Sequence, residues 1–332
     1  LPLEGAAATT PWAGNYWPTY RDSINYRWAG PDALSPAEKF AQAFSKPGLT
    51  DAVSEYYGID SRKNRGGTVC TDDSVCDSDK GEKCSKRTGA EEGVCVETWF
   101  GICHAWAPVA LMEPEPRHAI TYNGVEFTVN DLKALVTISY DKGLKSKLMS
   151  GRCNAVNSND DEGIQYDQYG RPELDGGLYE DCADTNPGSF HVVVTNMLGI
   201  QQKGIVEDRT FDYEVWNQPV RGYKVMEERT VTEQEANELI GATGEDYIFN
   251  IEATDFKYVK LALNWITESH QETDGNLASN IDQYTKTDTY EYVLELDRNG
   301  AIIGGEWIGE SKQDHPDFLW IGVEKEDAEV AI

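Results

Sequence analysis

The sequence predicts an α+β protein, and three features of it carry that prediction. Capped stretches with helical periodicity lie mainly in the first half of the chain. Alternating stretches punctuated by turns fill the last third. Between residues 66 and 97, four cysteines sit among charged residues and glycines with almost no apolar content. Such a stretch cannot bury a core and needs covalent staples. The expected organisation is an aromatic-rich helical N-terminal segment (1–65) that packs on the body of the protein, a disulfide-rich module (66–97), a core that carries the chemistry (98–230) and an antiparallel β domain (231–332).

In order along the chain, Trp12, Tyr16, Trp17, Tyr20, Tyr26 and Trp28 crowd one early segment, which argues for packing on a larger body. Ser35-Pro36-Ala37-Glu38 reads as a capping box with proline at the first helical position. The helix it opens carries Phe40, Ala43 and Phe44 on one face and ends before Pro47-Gly48. Trp99 to Ala107 places Cys103 after a glycine-containing turn, at the head of a second helix that Pro114 and Pro116 stop. Asn123-Gly124 turns a hairpin, and Asn130-Asp131 caps a helix with Leu132, Leu135, Val136 and Tyr140 on its apolar side. Residues 150 to 189 form a long polar loop. The β-branched run Phe190 to Thr195 reads as a buried strand with His191 at its entrance, and Ile205 to Asp208 as a second strand. Residues 213 to 227 are extended but interrupted at Gln218-Pro219, and the proline argues against a central strand there. A short helix follows over 231 to 241. Tyr247 to Ile251, Phe256 to Ile266 and Tyr290 to Leu296 then alternate, and Asn299-Gly300 turns the last hairpin.

The 332 residues carry 58 acidic against 29 basic side chains, a net charge of −29. A surface this acidic repels phosphate backbones, so no nucleic-acid partner is expected. It suits calcium or a cationic substrate such as a lysine side chain. The sequence has no apolar run of about 18 residues, so no membrane span is expected. Residues 1 to 10 lack the basic and apolar regions of a leader. There are seven cysteines. Cys70, Cys76, Cys84 and Cys95 read as two disulfides with all three pairings open, and Cys153 and Cys182 as a third bridge. Zinc is the weaker reading of the first four, because no Cys-x2-Cys pair and no histidine occur among them. Disulfides imply an oxidising compartment, hence a secreted protein in its processed form. No Asn-x-Ser/Thr glycosylation acceptor occurs.

This arithmetic leaves Cys103 outside any pair. A cysteine at a helix N-terminus faces the positive end of the helix dipole, the setting of a covalent nucleophile. His191 is the expected general base, and Asp208 the expected orienter on a neighbouring strand, with Asp212 and Asn217 as alternatives. His104 adjoins Cys103, but neighbours on a helix point about 100° apart, which argues against it as the base. The Cys103 N–H is one oxyanion donor and the Trp99 indole a second candidate. The oxygen-rich run at Asp160, Asp161 and Glu162 is the first choice for a calcium site. A peptidase and an acyltransferase fit these residues equally, and a binding module whose Cys103 is paired between chains is a third reading.

Val215-Trp216-Asn217-Gln218-Pro219-Val220-Arg221-Gly222-Tyr223-Lys224-Val225 closely resembles the elicitor peptide of the secreted transglutaminase elicitors of Phytophthora and related oomycetes. Pro11-Trp12-Ala13-Gly14-Asn15-Tyr16-Trp17-Pro18 and Gly101-Ile102-Cys103-His104-Ala105-Trp106 are similar to that family too, and Met226 departs from the aromatic expected near the peptide's end. The resemblance implies a calcium-dependent protein-glutamine γ-glutamyltransferase. Such an enzyme joins accessible glutamine and lysine side chains, and a surface segment over 215–227 is read by a plant immune receptor. It also implies a papain-like core with cysteine on a helix and histidine on a strand, roles that Cys103 and His191 match, with Asp208 third. A secreted papain-like cysteine peptidase is the alternative.

Overall fold

A computed structural model of the chain describes residues 1–151, 165–169, 172–173, 185–210, 214–243 and 246–325. The described residues form helices and antiparallel sheet in two units. The sheet unit comprises Leu1–Pro11, Ser146–Ile266 and Thr285–Gly322; the helical unit comprises Trp12–Lys145, Thr267–Tyr284 and Val323–Ile332. Chain order is therefore not domain order. The first residues add a strand to the sheet unit, and the disulfide module belongs to the helical one.

In the helical unit, α1 (Pro36–Phe44) starts with the expected capping box: Ser35 accepts from the Glu38 N–H and Glu38 from the Ser35 N–H. Helix α2 is Leu49–Tyr57. Strands β2 (Val69–Cys70), β3 (Glu82–Ser85) and β4 (Gly93–Glu97) make a small sheet in the order β2-β4-β3. Two bridges, Cys70–Cys84 and Cys76–Cys95, choose among the three pairings the sequence left open. Helix α3 is Cys103–Met112. The hairpin β5 (Ile120–Tyr122) and β6 (Val125–Phe127) turns at Asn123 and Gly124, both with positive φ. Helix α4 (Val129–Asp141) is capped by Thr128 reciprocally with Asp131, two residues earlier than the Asn130-Asp131 cap the sequence pointed to.

In the sheet unit, β1 is Glu4–Ala6 and β7 Leu144–Leu148; β8 (Gln165–Tyr166) pairs with β9 (Pro172–Glu173). The main sheet adds β10 (Val206–Asp208), β11 (Asn217–Val231), β12 (Asp255–Ile266), β13 (Thr285–Leu296), β14 (Ile302–Trp307) and β15 (Leu319–Lys325), in the order β14-β13-β12-β11-β10-β15-β7, with β1 also on β11. Helix α5 (Pro187–Val194) buries Phe190, Val193 and Val194 against Val220, Leu261 and Leu263, and α6 (Glu233–Ile240) packs with Phe256, Tyr258 and Val293. Burial of these apolar faces contributes about 1.5–3 kcal/mol for each large side chain. Among the described residues no helix is long and apolar enough to cross a membrane.

Five expectations need correction here. Phe190 to Thr195 is helical, not a strand. Asn186 accepts the Gly188 N–H and Pro187 occupies the first helical position, and these start signals outweigh the β propensity of Val192, Val193 and Val194. Residues 247–251 form no strand; Tyr247 instead turns inward and donates to Glu295. The 215–227 segment is only partly at the surface. From Asn217 to Val220 and at Gly222, Tyr223 and Val225 it is buried, while Lys224, Met226 and Glu227 face outward. Nor does Pro219 exclude a central strand. It pairs with Val206 of β10, whereas the ladder to β12 begins only at Val220, so no hydrogen bond needs the missing N–H. Gly222 is held to glycine by β1, since a Cβ would stand 2.7 Å from the Gly5 carbonyl oxygen. The sheet also starts before residue 231, because β11 runs unbroken across the expected boundary.

One buried acid on β10 has a measurable consequence. Glu207 has no exposure, and neither carboxylate oxygen has a hydrogen-bond partner among the described residues. Burial first, then Asp288, pushes its pKa well above the usual carboxylate value. A raised folded-state pKa means the native state holds the proton more tightly than the unfolded chain does. Stability is then full at low pH and is lost as pH rises past the unfolded value. Glu207→Gln is expected to raise Tm by about 2–4 °C at pH 8 and to leave it unchanged at pH 4. Equal shifts at both pH values in a thermal melt would contradict it.

Candidate active site

Cys103 is buried, lies in no disulfide and opens α3. The turn before it is pinned by the early aromatic segment. The Ile102 N–H donates to the Tyr16 carbonyl at 2.7 Å, and the Thr19 N–H to the Phe100 carbonyl at 2.8 Å. Gly101 permits this approach, because a Cβ would stand 2.6 Å from the Tyr16 carbonyl oxygen. Further along, Gly14 lies against the Trp106 indole, and the Trp12 indole N–H donates to the Glu113 carbonyl. The Tyr16 hydroxyl donates to the Thr98 carbonyl at 2.8 Å. Burial first, with Tyr20, Glu268 and Cys103 adding to it, keeps that phenol protonated.

The imidazole beside the thiol is that of His104. Its Nε2 is 2.6 Å from Asp141 Oδ1 at the end of α4. Desolvation pulls its pKa down, but hydrogen bonds with Asp141 and with Cys103 more than offset this and hold it up at about 9. The ring is 47% exposed, so the imidazolium also keeps part of its hydration. Asp141 accepts from Tyr57 as well, whose hydroxyl is raised by burial and then by Asp141. The helical divergence that argued against His104 is overcome because Cys103 and His104 are the first two residues of the helix, where no preceding turn confines their side chains.

The remaining predicted residues lie as follows. His191 sits on α5 in the sheet unit. Its Nδ1 is 2.8 Å from the Tyr292 hydroxyl, and it lines a cavity of about 400 Å³ with Leu3, Glu228 and Lys257. Burial lowers its pKa to about 4, against the opposing pull of Glu228, so the ring is neutral and shares a hydrogen bond with the Tyr292 hydroxyl. Asp208 is buried on β10, accepts the Trp216 N–H at 2.8 Å and pairs in register with Asn217. The Asn217 side-chain carbonyl accepts from the Trp320 indole at 2.7 Å. The structure thus places Asp208 beside its alternative Asn217, while Tyr292 hydrogen-bonds His191 and Glu228 is the carboxylate acting on it. The Trp99 indole donates to Glu97 at 2.6 Å, which engages the N–H expected to serve an oxyanion. Asp212, Asp160, Asp161, Glu162, Cys153 and Cys182 lie outside the described residues. Among the described residues the three convergent metal-ligand atoms are the sulfurs of Cys70, Cys76 and Cys95, which are spent in disulfides.

A thiol at a helix N-terminus, an imidazole hydrogen-bonded to it and a carboxylate behind the imidazole are the parts of a thiol-dependent acyl-transfer site. The comparisons agree with that class. A family model described as transglutaminase elicitor matches residues 1–332. The crystal structure of the GP42 transglutaminase from Phytophthora sojae is similar, with a TM-score of 0.79, 41% sequence identity, and coverage of 97% of this chain and 84% of that one. No curated protein matches the chain in sequence. The chain belongs to the transglutaminase elicitor family.

Proposed function

We propose that the chain is a secreted protein-glutamine γ-glutamyltransferase that joins glutamine to lysine side chains through a thioester on Cys103. The single observation that carries the mechanism is the placement of His104, hydrogen-bonded to the Cys103 sulfur and to Asp141. Below about pH 9 the imidazole is charged, so a thiolate at Cys103 has a cationic partner and the N-terminus of α3 beside it. The thiolate attacks the glutamine carboxamide carbon. The C–N bond breaks, and the imidazolium protonates the departing ammonia. The first-turn amides of α3, the Cys103 N–H among them, stabilise the oxyanion. A lysine amine then attacks the thioester, and its C–S bond breaks as the isopeptide forms.

The likeness to GP42 supports the transferase over the peptidase. We read the core as papain-like on the strength of a cysteine-headed helix within a mixed fold. The two disulfides support secretion. Calcium dependence is carried over with the family, with Asp160, Asp161 and Glu162 as the proposed ligands. Segment 215–227 is the proposed elicitor for a plant immune receptor. His191, with Asp208, is the second reading for the base, favoured by one observation: its pKa of about 4 leaves it neutral, as a base must be.

The test joins labelling to turnover. Iodoacetamide without reduction is expected to alkylate Cys103 once and to abolish incorporation of a fluorescent amine into casein. Amine incorporation that survives alkylation of Cys103, or casein fragments with no amine attached, would refute the reading.

A further inference from the structure

The rings that precede the nucleophile already hold an ammonium group. Lys63 Nζ lies 4.4 Å from the centroid of the Phe100 ring and 5.9 Å from that of Trp99. The two rings meet edge to face at 4.4 Å. Both are partly exposed, and Lys63 is exposed. The chain offers 58 carboxylates to 29 basic side chains, yet this lysine rests on aromatic faces. The bond from the Trp99 indole to Glu97 sets that ring's orientation and puts a carboxylate at the platform's edge. The platform is also tied to the nucleophile, since the Phe100 carbonyl and the Ile102 N–H are both pinned by residues 16–19. A cation over such faces is attracted by the ring quadrupole, most strongly where water is partly excluded.

We propose that Trp99 and Phe100, with Glu97 at their edge, form the subsite for the acceptor lysine, and that Lys63 occupies it when no acceptor is bound. This deepens the transglutaminase reading and rests on it. The subsite explains why an amine rather than water resolves the thioester: it concentrates ammonium ions next to Cys103 and leaves water no comparable advantage. Attack needs the neutral amine. After acylation His104 has given its proton to ammonia, so it takes one proton from the acceptor ammonium. The nitrogen forms the C–N bond, the thioester C–S bond breaks, and the nitrogen's second proton goes to solvent. The products are the isopeptide, the Cys103 thiolate and the His104 imidazolium, ready for the next glutamine.

The test separates amine binding from acylation. Phe100→Leu is expected to raise the KM for a fluorescent primary amine roughly tenfold, and Phe100→Tyr, which keeps the π face, to restore it. Lys63→Met is expected to lower that KM about threefold by vacating the platform. In Phe100→Leu and in Lys63→Met the KM for the amine should move while the KM for the glutamine peptide stays within about twofold of the parent value. An analogue of the amine with a trimethylated nitrogen should compete with the amine and not with the peptide, and its neutral alcohol counterpart should not compete. An unchanged amine KM in both variants, or equal inhibition by cation and alcohol, overturns the subsite and leaves acyl transfer standing if ammonia release persists. A parent protein that neither releases ammonia nor incorporates amine overturns acyl transfer, and the subsite with it.

Discussion

His104→Ala is expected to lower kcat/KM for amine incorporation by about 10³-fold, the usual worth of a positioned proton carrier. The fold should survive, because the ring is 47% exposed and supports no core. His191→Ala should behave in the opposite way. His191 is buried, and its removal leaves the Tyr292 hydroxyl without that partner inside the sheet unit. A buried hydroxyl stripped of its partner costs about 1–3 kcal/mol. The expected result is a lower Tm with kcat/KM of the folded fraction little changed. Steady-state kinetics beside a thermal melt decides the matter. A His191→Ala protein that is fully stable and inactive, with His104→Ala active, would move the base to His191.

Asp141→Asn should reshape the pH profile. Burial depresses the His104 pKa, and the Asp141 hydrogen bond is the largest influence opposing it, followed by Cys103. Because the pKa is raised, the imidazolium is present at low pH and lost as pH climbs through about 9. The alkaline limb of kcat/KM is therefore expected near pH 9 in the parent protein. Without the carboxylate it should move toward neutrality by about 1–2 pH units, the usual effect of removing an adjacent opposite charge. At pH 8.5 the variant should lose most of its activity, and at pH 6 little of it. A variant that loses the same fraction at both pH values would show that Asp141 acts on structure rather than on the proton.

The sequence was legible where chemistry is local. The Ser35 capping box, the Asn123-Gly124 and Asn299-Gly300 turns and the cysteine heading α3 all rest on neighbours within four residues. It was misleading where packing overrides propensity. Three consecutive valines read as strand, yet Asn186-Pro187 starts a helix in which Val193 and Val194 are buried and Val192 is exposed. Pro219 read as a barrier, although only one side of β11 is paired at that point. His104 was set aside by a rule for helix interiors that does not bind the first turn. No spacing in the sequence announces that Asp141, at the far end of another helix, stands behind that imidazole. Lys63 on the Trp99 and Phe100 rings is likewise a tertiary fact.

The burial of β11 bears on how much of this segment a folded molecule presents. Asn217, Gln218, Pro219 and Tyr223 are inside the folded sheet, so an intact molecule does not display them. For the proposed elicitor role, contact with these four side chains requires the sheet to be opened first. Change at these positions is constrained in turn. Replacing Gly222 brings a side chain against the strand at Gly5, and replacing Asn217 removes the acceptor of the Trp320 indole. A substitution that altered the segment would therefore also weaken the sheet it belongs to, so the identity of these residues is tied to the stability of the fold.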